Sequence, residues 1–434
     1  MNREILRLAI PNILSNLSVP LLGLVDTALM GHLDNAERFL SAIAIASAIF
    51  NILYWSFGFL RMGTTGLTAQ AYGAQREQEA FLTLGRGLMV AMVGGIILVV
   101  CQHPIGWAGM EIMEGSEDAK NIARSYFDIR IFAAPAALGM YVFNGWFLGM
   151  QNAIVPLILS IVINVVNIGA NFIFVVGYGM DAEGIALGTV IAQYTGLILA
   201  GILFLRRYKG FLKYRKEGKM LDPAQLRRFL LVNRDIFIRT ACLIFAFTYF
   251  TAASGRFSDE VLAANALLLQ LLYLMSYLVD GIAYAAESLV GKYMGEGSPD
   301  GLRKLVRRLL VWGMGFGAVF SLIYLLGGPF LLTLLSDKEE VIAIAVEYLP
   351  WMILMPIWGT YSFLWDGIFI GATASVSLRN TMILAVFGGF LPTWWLTQGW
   401  GNHGLWLAMT MFMLLRGVGL AVMSGKIYKK AAKA

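Results

Sequence analysis

Charge is scarce in this chain. Of its 434 residues only 14% are Asp, Glu, Lys or Arg, while 58% are hydrophobic and the mean hydropathy is +0.70, which excludes a soluble domain of ordinary make-up. Cysteine is scarcer still. Cys101 and Cys242 stand in apolar segments of different halves, so neither a disulfide framework nor a thiolate metal site is expected. The three histidines, His32, His103 and His403, are scattered, with no HExxH cluster and no GxxxxGKS/T phosphate loop, so a metallohydrolase and direct use of ATP are both excluded. No cleavable leader pattern opens the chain, and the first apolar helix is expected to be retained.

What the chain has instead is long apolar runs. Windows of roughly 20 apolar residues, each able to cross a ~30 Å hydrocarbon core, recur from end to end and read as helices rather than barrel strands. Breaks of charge, glycine and proline delimit twelve spans: 6–31, 39–70, 82–103, 121–149, 152–177 and 183–205, then 229–254, 261–292, 302–328, 342–371, 377–397 and 402–425. The expected fold is therefore an all-α integral membrane protein with twelve transmembrane helices.

Loop charge orients it. Between spans 6 and 7 lie Arg206, Arg207, Lys209, Lys213, Arg215, Lys216, Lys219, Arg227 and Arg228 against Glu217 and Asp222, which places that loop in the cytoplasm. Arg303, Lys304, Arg307 and Arg308, and the tail lysines Lys426, Lys429, Lys430 and Lys433, fall on the same side. Glu111, Glu114, Glu117 and Asp118, then Asp181 and Glu183, then Asp337, Glu339 and Glu340 fall opposite. Both termini are expected to be cytoplasmic, as for a bacterial-type inner membrane protein. The net charge of +6 sits on membrane-flanking loops, where anionic lipid rather than nucleic acid is the partner.

The halves repeat at an offset of about 222 residues, the internal symmetry from which transporters are built. Phe143-Asn-Gly-Trp-Phe-Leu-Gly149 answers Trp365-Asp-Gly-Ile-Phe-Ile-Gly371, Gln70-Ala-Tyr-Gly73 answers Lys292-Tyr-Met-Gly295, and Gly184-Ile-Ala-Leu-Gly-Thr189 answers Gly404-Leu-Trp-Leu-Ala-Met409. Six helices per half make the repeats parallel. The expected organisation is a six-helix lobe over 1–205, a basic linker over 206–228 and a second six-helix lobe over 229–434.

An acid inside a membrane span is costly and marks function by default. Asp26 lies about five residues, or ~8 Å, from the outer end of span 1. Asn171 and, one turn deeper, Asn167 lie at a comparable depth on span 5, and Thr189 does so on span 6. A carboxylate ringed by amide and hydroxyl oxygens can take up a proton or Na⁺, and no other metal is expected here. Arg61 lies some ~25 Å deeper and does not pair with Asp26. The competing reading is a static polar lock between helices. Pro11 and Pro20 precede Asp26 on the same helix and each removes a backbone hydrogen bond, making it bendable; a static shape is the alternative.

The second half carries another polar group. Tyr273, Ser276, Tyr277, Asp280, Tyr284 and Glu287 form one stripe of span 8, with Asp280 and Arg239 near mid-membrane, Glu287 and Asp366 toward the inner end, and Arg416 close in depth. It reads either as a second ion or substrate site or as a static ion-pair network. Twenty-one methionines and many aromatic residues suit a cavity that adapts to varied shapes, though they also serve as core and lipid-facing residues.

Leu8-Ala-Ile-Pro11, Val19-Pro-Leu-Leu-Gly-Leu-Val-Asp-Thr-Ala28, Gly31-His-Leu33, Leu60-Arg-Met-Gly-Thr-Thr-Gly-Leu-Thr-Ala-Gln70, Asn233-Arg-Asp235, Asp280-Gly-Ile-Ala-Tyr-Ala-Ala-Glu287, Asp366-Gly-Ile-Phe-Ile-Gly-Ala-Thr373 and Gly401-Asn-His-Gly-Leu-Trp406 together resemble the multidrug and toxic compound extrusion (MATE) transporters, DinF-like branch. The resemblance spans the chain. It implies a two-lobed antiporter that exports small amphipathic, often cationic compounds in exchange for H⁺ or Na⁺, with no cofactor and no enzymatic step. It places the family's first-lobe cation site on Asp26, Asn167 and Thr189, and an acid in helix 10 on Asp366. The family's second helix 5 acid falls on Asn171, a departure that leaves one carboxylate, so H⁺ is the first choice and Na⁺ the second. A monomer is expected. The rival within transport is a flippase of lipid-linked or polysaccharide precursors; outside it, a membrane-embedded enzyme or a scaffold.

Overall fold

The computed structural model describes residues 1–31, 36–217 and 220–433, with side chains described except those of 19–37 and 216–219. Within a bilayer every backbone amide must find its partner inside the protein, and a helix achieves this locally. Among the described residues, ten helices are long and apolar enough to cross a membrane: α2 Arg38–Gly73, α3 Glu77–Val100, α4 Glu117–Gly149, α5 Ile154–Gly177, α6 Ala182–Arg207, α7 Pro223–Ser254, α8 Asp259–Gly295, α9 Pro299–Leu335, α10 Glu339–Gly371 and α12 Asn402–Ala431. Two further helical runs, α1 Asn2–Gly31 and α11 over 375–396, fill the remaining places in a two-lobed helical fold. Local chemistry sets several starts. Ser116 accepts from the amide of Ala119 and Ser258 from that of Val261, while Asp222 accepts from Ala224 and Gln225 with Pro223 following as the first helical residue.

Three departures from the sequence reading have local causes. Span 2 is broken at Phe57 and Gly58, between helices Ala36–Ser56 and Phe59–Gly73, a break hidden by uniformly apolar sequence. A short helix, Gln102–Ile112, follows α3. Spans 5 and 11 contain wide turns at Ile173–Gly177 and Leu384–Phe390, where the helical ladder slips by one residue.

The repeat is visible in the backbone. Displaced by 222 positions, Glu117–Gly149 falls on Glu339–Gly371. The residues with positive φ pair at the same displacement: Gln75 (55°) with Gly297 (62°), Gln151 (60°) with Thr373 (47°), and Gly179 (66°) with Gly401 (58°). For a β-branched residue such as Thr373 this conformation is strained, by about 1–3 kcal/mol. Both non-glycine members of the middle pair reach across to the other lobe. Gln151 Nε2 donates to Ser288 Oγ at 2.8 Å, and Thr373 Oγ1 accepts from Gln70 Nε2 at 3.0 Å.

Each half has its own core. Trp146, fully buried with its Nε1 donating to Ala80 O at 2.8 Å, centres the first against Phe204, Tyr208 and Phe211. Trp406 and Phe250 centre the second. A third apolar cluster joins Ile5, Leu8, Ala9 and Leu148 to Ile282, Ala286, Ile368 and Phe369, binding the lobes at the end that carries both termini. There α2 and α8 cross closely enough that a Cβ on Gly73 would strike the Lys292 carbonyl and one on Gly295 the Gln70 carbonyl. These are the same contact seen from the two repeats, since Gln70 and Gly73 correspond to Lys292 and Gly295. A Cβ on Gly291 would lie 2.5 Å from that of Ala69, its own counterpart, so the pseudo-two-fold axis passes between these two residues. The linker lies on the first lobe at this end: Tyr214 donates to Glu77 Oε2 at 3.0 Å, and Arg86 Nε to Met220 O at 3.1 Å.

Replacing Gly291 by valine forces α2 and α8 apart and should lower thermal stability in detergent by about 1–3 kcal/mol. Gly315→Ala, where nothing lies within 4 Å, should leave it unchanged or slightly raised.

Candidate functional site

In the half of the first lobe remote from the termini, three side chains form a directed row. Asn171 Nδ2 donates to Asn167 Oδ1 at 3.1 Å, Asn167 Nδ2 to Thr189 Oγ1 at 3.1 Å, and Thr189 Oγ1 to Ile185 O at 3.0 Å. The two asparagines stand one turn apart on α5, and both are buried. α6 can approach because position 188 is glycine: a Cβ there would collide with Asn171 Oδ1. The wide turn at Ile173–Gly177 begins two residues beyond Asn171.

α1 runs alongside α5. Ser18 Oγ lies 2.7 Å from Ser160 Oγ, and Asn164 Nδ2 donates to Ser18 O at 3.2 Å. Asp26 and Pro20 belong to α1, but their side chains fall outside the described residues. Pro11 lies within the helix, whose inner half packs on α8: Ile13 and Ala9 meet Gly281, and Asn16 Nδ2 donates to Tyr277 O at 3.0 Å.

The four residues grouped in sequence as a second polar site separate into three environments. Asp366 of α10 accepts from two buried guanidiniums, Arg239 of α7 and Arg416 of α12, the latter through Nε at 3.0 Å. Glu287 of α8 forms a two-pronged ion pair with Arg61 of α2, at 2.9 and 3.2 Å, and the same guanidinium lies 3.9 Å over the ring of Tyr284. Asp280 makes neither an ion pair nor a hydrogen bond among the described residues and is only half-buried. Arg239, placed by depth beside Asp280, is thus bonded to Asp366 instead. The cause is lateral: α7, α10 and α12 converge, which depth along a helix does not encode.

Sequence reasoning considered Arg61 only against Asp26 and missed its partner in the other lobe. A signal existed in the repeat, because Glu287 corresponds to Thr65, one turn from Arg61, on helices that cross. It missed also the buried Asp235, which accepts from Ser375 Oγ at 3.0 Å and Arg379 Nη1 at 2.8 Å and ties α7 to α11.

Comparison with known proteins gives a consistent picture. The family model MatE matches residues 11–173 and 236–395. DNA damage-inducible protein F of Escherichia coli (strain K12) is 40% identical over 427 residues, covering 97% of this chain and 91% of that protein. A probable multidrug resistance protein NorM of Idiomarina loihiensis is 22% identical, covering 98% and 94%. Among solved structures, an outward-facing multidrug resistance MATE family transporter of the MOP superfamily superposes with TM-score 0.85 at 15% identity over 99% of this chain and 96% of that one. The bent form of the Vibrio cholerae MATE transporter VcmN does so with TM-score 0.85 at 20% identity, over 99% and 97%.

Asp366→Asn removes the shared counter-ion of two buried guanidiniums, and thermal unfolding in detergent should show a loss of about 3–5 kcal/mol. In a double-mutant cycle, Arg61→Ala and Glu287→Ala should be coupled by about 1–3 kcal/mol. Additivity within about 0.5 kcal/mol would mean that the pair does not join the lobes.

Proposed function

The chain belongs to the MatE family and is a membrane transporter, not an enzyme, and on that premise we propose that it is a secondary antiporter. It exports small amphipathic, cationic compounds across a bacterial inner membrane against an inward flow of H⁺, with Na⁺ the second choice. In this reading both termini and the linker 206–228 are cytoplasmic, and the bodies 1–205 and 229–434 rock about the end where Ala69 meets Gly291.

The observation that carries the reading is the row Asn171, Asn167 and Thr189. On α1, Asp26 stands eight residues beyond Ser18, ~12 Å along the axis, and Asn171 stands a similar ~10 Å beyond Asn164, which bonds the Ser18 carbonyl. The register of two helices in contact thus carries Asp26 to the level of the row. A lone carboxylate at that level can be neutralised by a proton, whereas Na⁺ would rely on one formal charge and neutral oxygens. The ion does work only if it binds one conformation more tightly than the other.

Asp26→Asn should yield a folded, membrane-inserted protein with no gradient-driven export. The assay is efflux from proteoliposomes under pH and Na⁺ gradients imposed separately. Export at the wild-type rate by the mutant would remove Asp26 from the mechanism. Wild-type export driven by a Na⁺ gradient alone would reverse the order of the two ions.

A further inference from the structure

Among the described residues the second lobe carries the carboxylates Asp235, Asp280, Glu287 and Asp366 on helices packed inside the protein, and all but Asp280 are committed, Asp235 to Ser375 and Arg379. Asp366 is 3% exposed between Arg239 and Arg416, and Glu287 is 2% exposed against Arg61. Asp280, seven residues and ~10 Å along α8 from Glu287 toward the other membrane face, is half-buried while Val279, Gly281, Ile282 and Ala283 beside it are buried. Its side of α8 therefore borders accessible space. The charged groups whose fields reach it are Arg61 on α2, Arg239 on α7, Arg416 on α12 and Glu287 on its own helix. Those three guanidiniums exceed the paired Glu287 and Asp366 by one charge, and none of the three is ion-paired to Asp280.

Its surroundings are aromatic. Tyr273, Tyr277 and Tyr284 fall on the same face of α8 at helical spacing, all half-buried. One face of the Tyr284 ring is already covered by the Arg61 guanidinium at 3.9 Å, so this ring does engage a cation in the structure. A carboxylate with tyrosine rings one turn to either side offers an organic cation both a counter-charge and π faces for its apolar body.

We propose that Asp280, flanked by Tyr277 and Tyr284, is the site in the second lobe that recognises the cationic centre of a transported aromatic monocation. This rests on reading the chain as an exporter of such compounds. The specificity is for a single charge, because among the described residues of the second lobe the buried carboxylates Glu287, Asp366 and Asp235 are all held by guanidinium donors. The Arg61–Glu287 pair lies two turns along α8 from Asp280, toward the end that carries the termini.

The test is equilibrium binding to the full-length protein in detergent, followed by tryptophan fluorescence, with tetraphenylphosphonium as the cation and triphenylphosphine oxide as its uncharged counterpart. Asp280→Asn should weaken tetraphenylphosphonium binding by about tenfold or more, as expected for loss of one charge-assisted contact. Asp280→Glu should retain it within about threefold, and triphenylphosphine oxide should bind all three proteins alike. Unchanged tetraphenylphosphonium affinity in Asp280→Asn, equal loss for both compounds, or no binding to the wild-type protein would each overturn the proposal. Asp26→Asn serves as the separating control. If it transports normally while Asp280→Asn loses the cation, the coupling reading fails and the recognition site stands. If Asp280→Asn binds the cation normally but loses transport driven by a pH gradient, Asp280 is a second coupling acid and the recognition proposal falls.

Discussion

The close crossing of α2 and α8 is the contact on which the rest of this architecture depends. Two long helices from different repeats meet at Ala69 and Gly291 on the pseudo-two-fold axis, with Gly73 and Gly295 each admitting the other helix's carbonyl. Apolar side chains gain little from one another in lipid, since the surrounding tails are equally apolar, so helices associate where small residues allow backbones to approach. The crossing brings the ends of both lobes together. It also sets Gln151 against Ser288 and Thr373 against Gln70, repaying strain in two left-handed turns with hydrogen bonds across the interface.

Charge appears where the repeat is broken. Arg61 and Glu287 correspond to Ala283 and Thr65, Asp280 to Gly58, and Asp366 to Asn144, so no charged residue of the inner network has a charged counterpart. The row of the first lobe is equally one-sided: Asn167, Asn171 and Thr189 answer to Gly389, Thr393 and Met409. Shared positions are small or aromatic and serve packing, while unshared positions are polar and differ in kind between lobes. The first lobe has neutral amides and a hydroxyl, arranged to donate in one direction. The second has Arg239 and Arg416 around Asp366, and its Glu287 is answered across the interface by Arg61 of the first lobe. Such a division sets a neutral donor row in one lobe against buried ion pairs in and across to the other.

Much of this was legible in the sequence, for physical reasons that can be named. The bounds of α4 and α10 are readable to within a few residues because acidic residues mark both starts, joined on α4 by the Ser116 cap, and glycine marks both ends. The layer of Asn167, Asn171 and Thr189 followed from helical rise and periodicity, which fix depth and face along any one span. Pairing between helices did not follow. Arg239 and Asp280 were alike in depth, yet Arg239 bonds Asp366, and Arg61 reaches a carboxylate 226 residues away. The break at Phe57 and Gly58 and the wide turns of α5 and α11 also left no mark, because an apolar segment reads the same whether its ladder is regular or slipped.

α1 is packed against the polar groups of both lobes. Its inner part is anchored to the second lobe, where Asn16 bonds Tyr277 O and Ile13 lies on Gly281, next to Asp280. Ser18, two residues on, is held by Ser160 and Asn164 of α5 in the first lobe. A proline at position 20 has no N–H to offer the carbonyl four residues earlier, which is that of Asn16. The helical ladder is therefore weakest where the anchors pass from one lobe to the other, and bending there costs no hydrogen bond that a proline-containing helix would have made. Movement of the outer part of α1 on neutralisation of Asp26 would accordingly pivot beside Tyr277, one turn from Asp280. On the proposed reading, that would give a change of charge in the first lobe a mechanical route along α1 to the face of the second that carries Asp280.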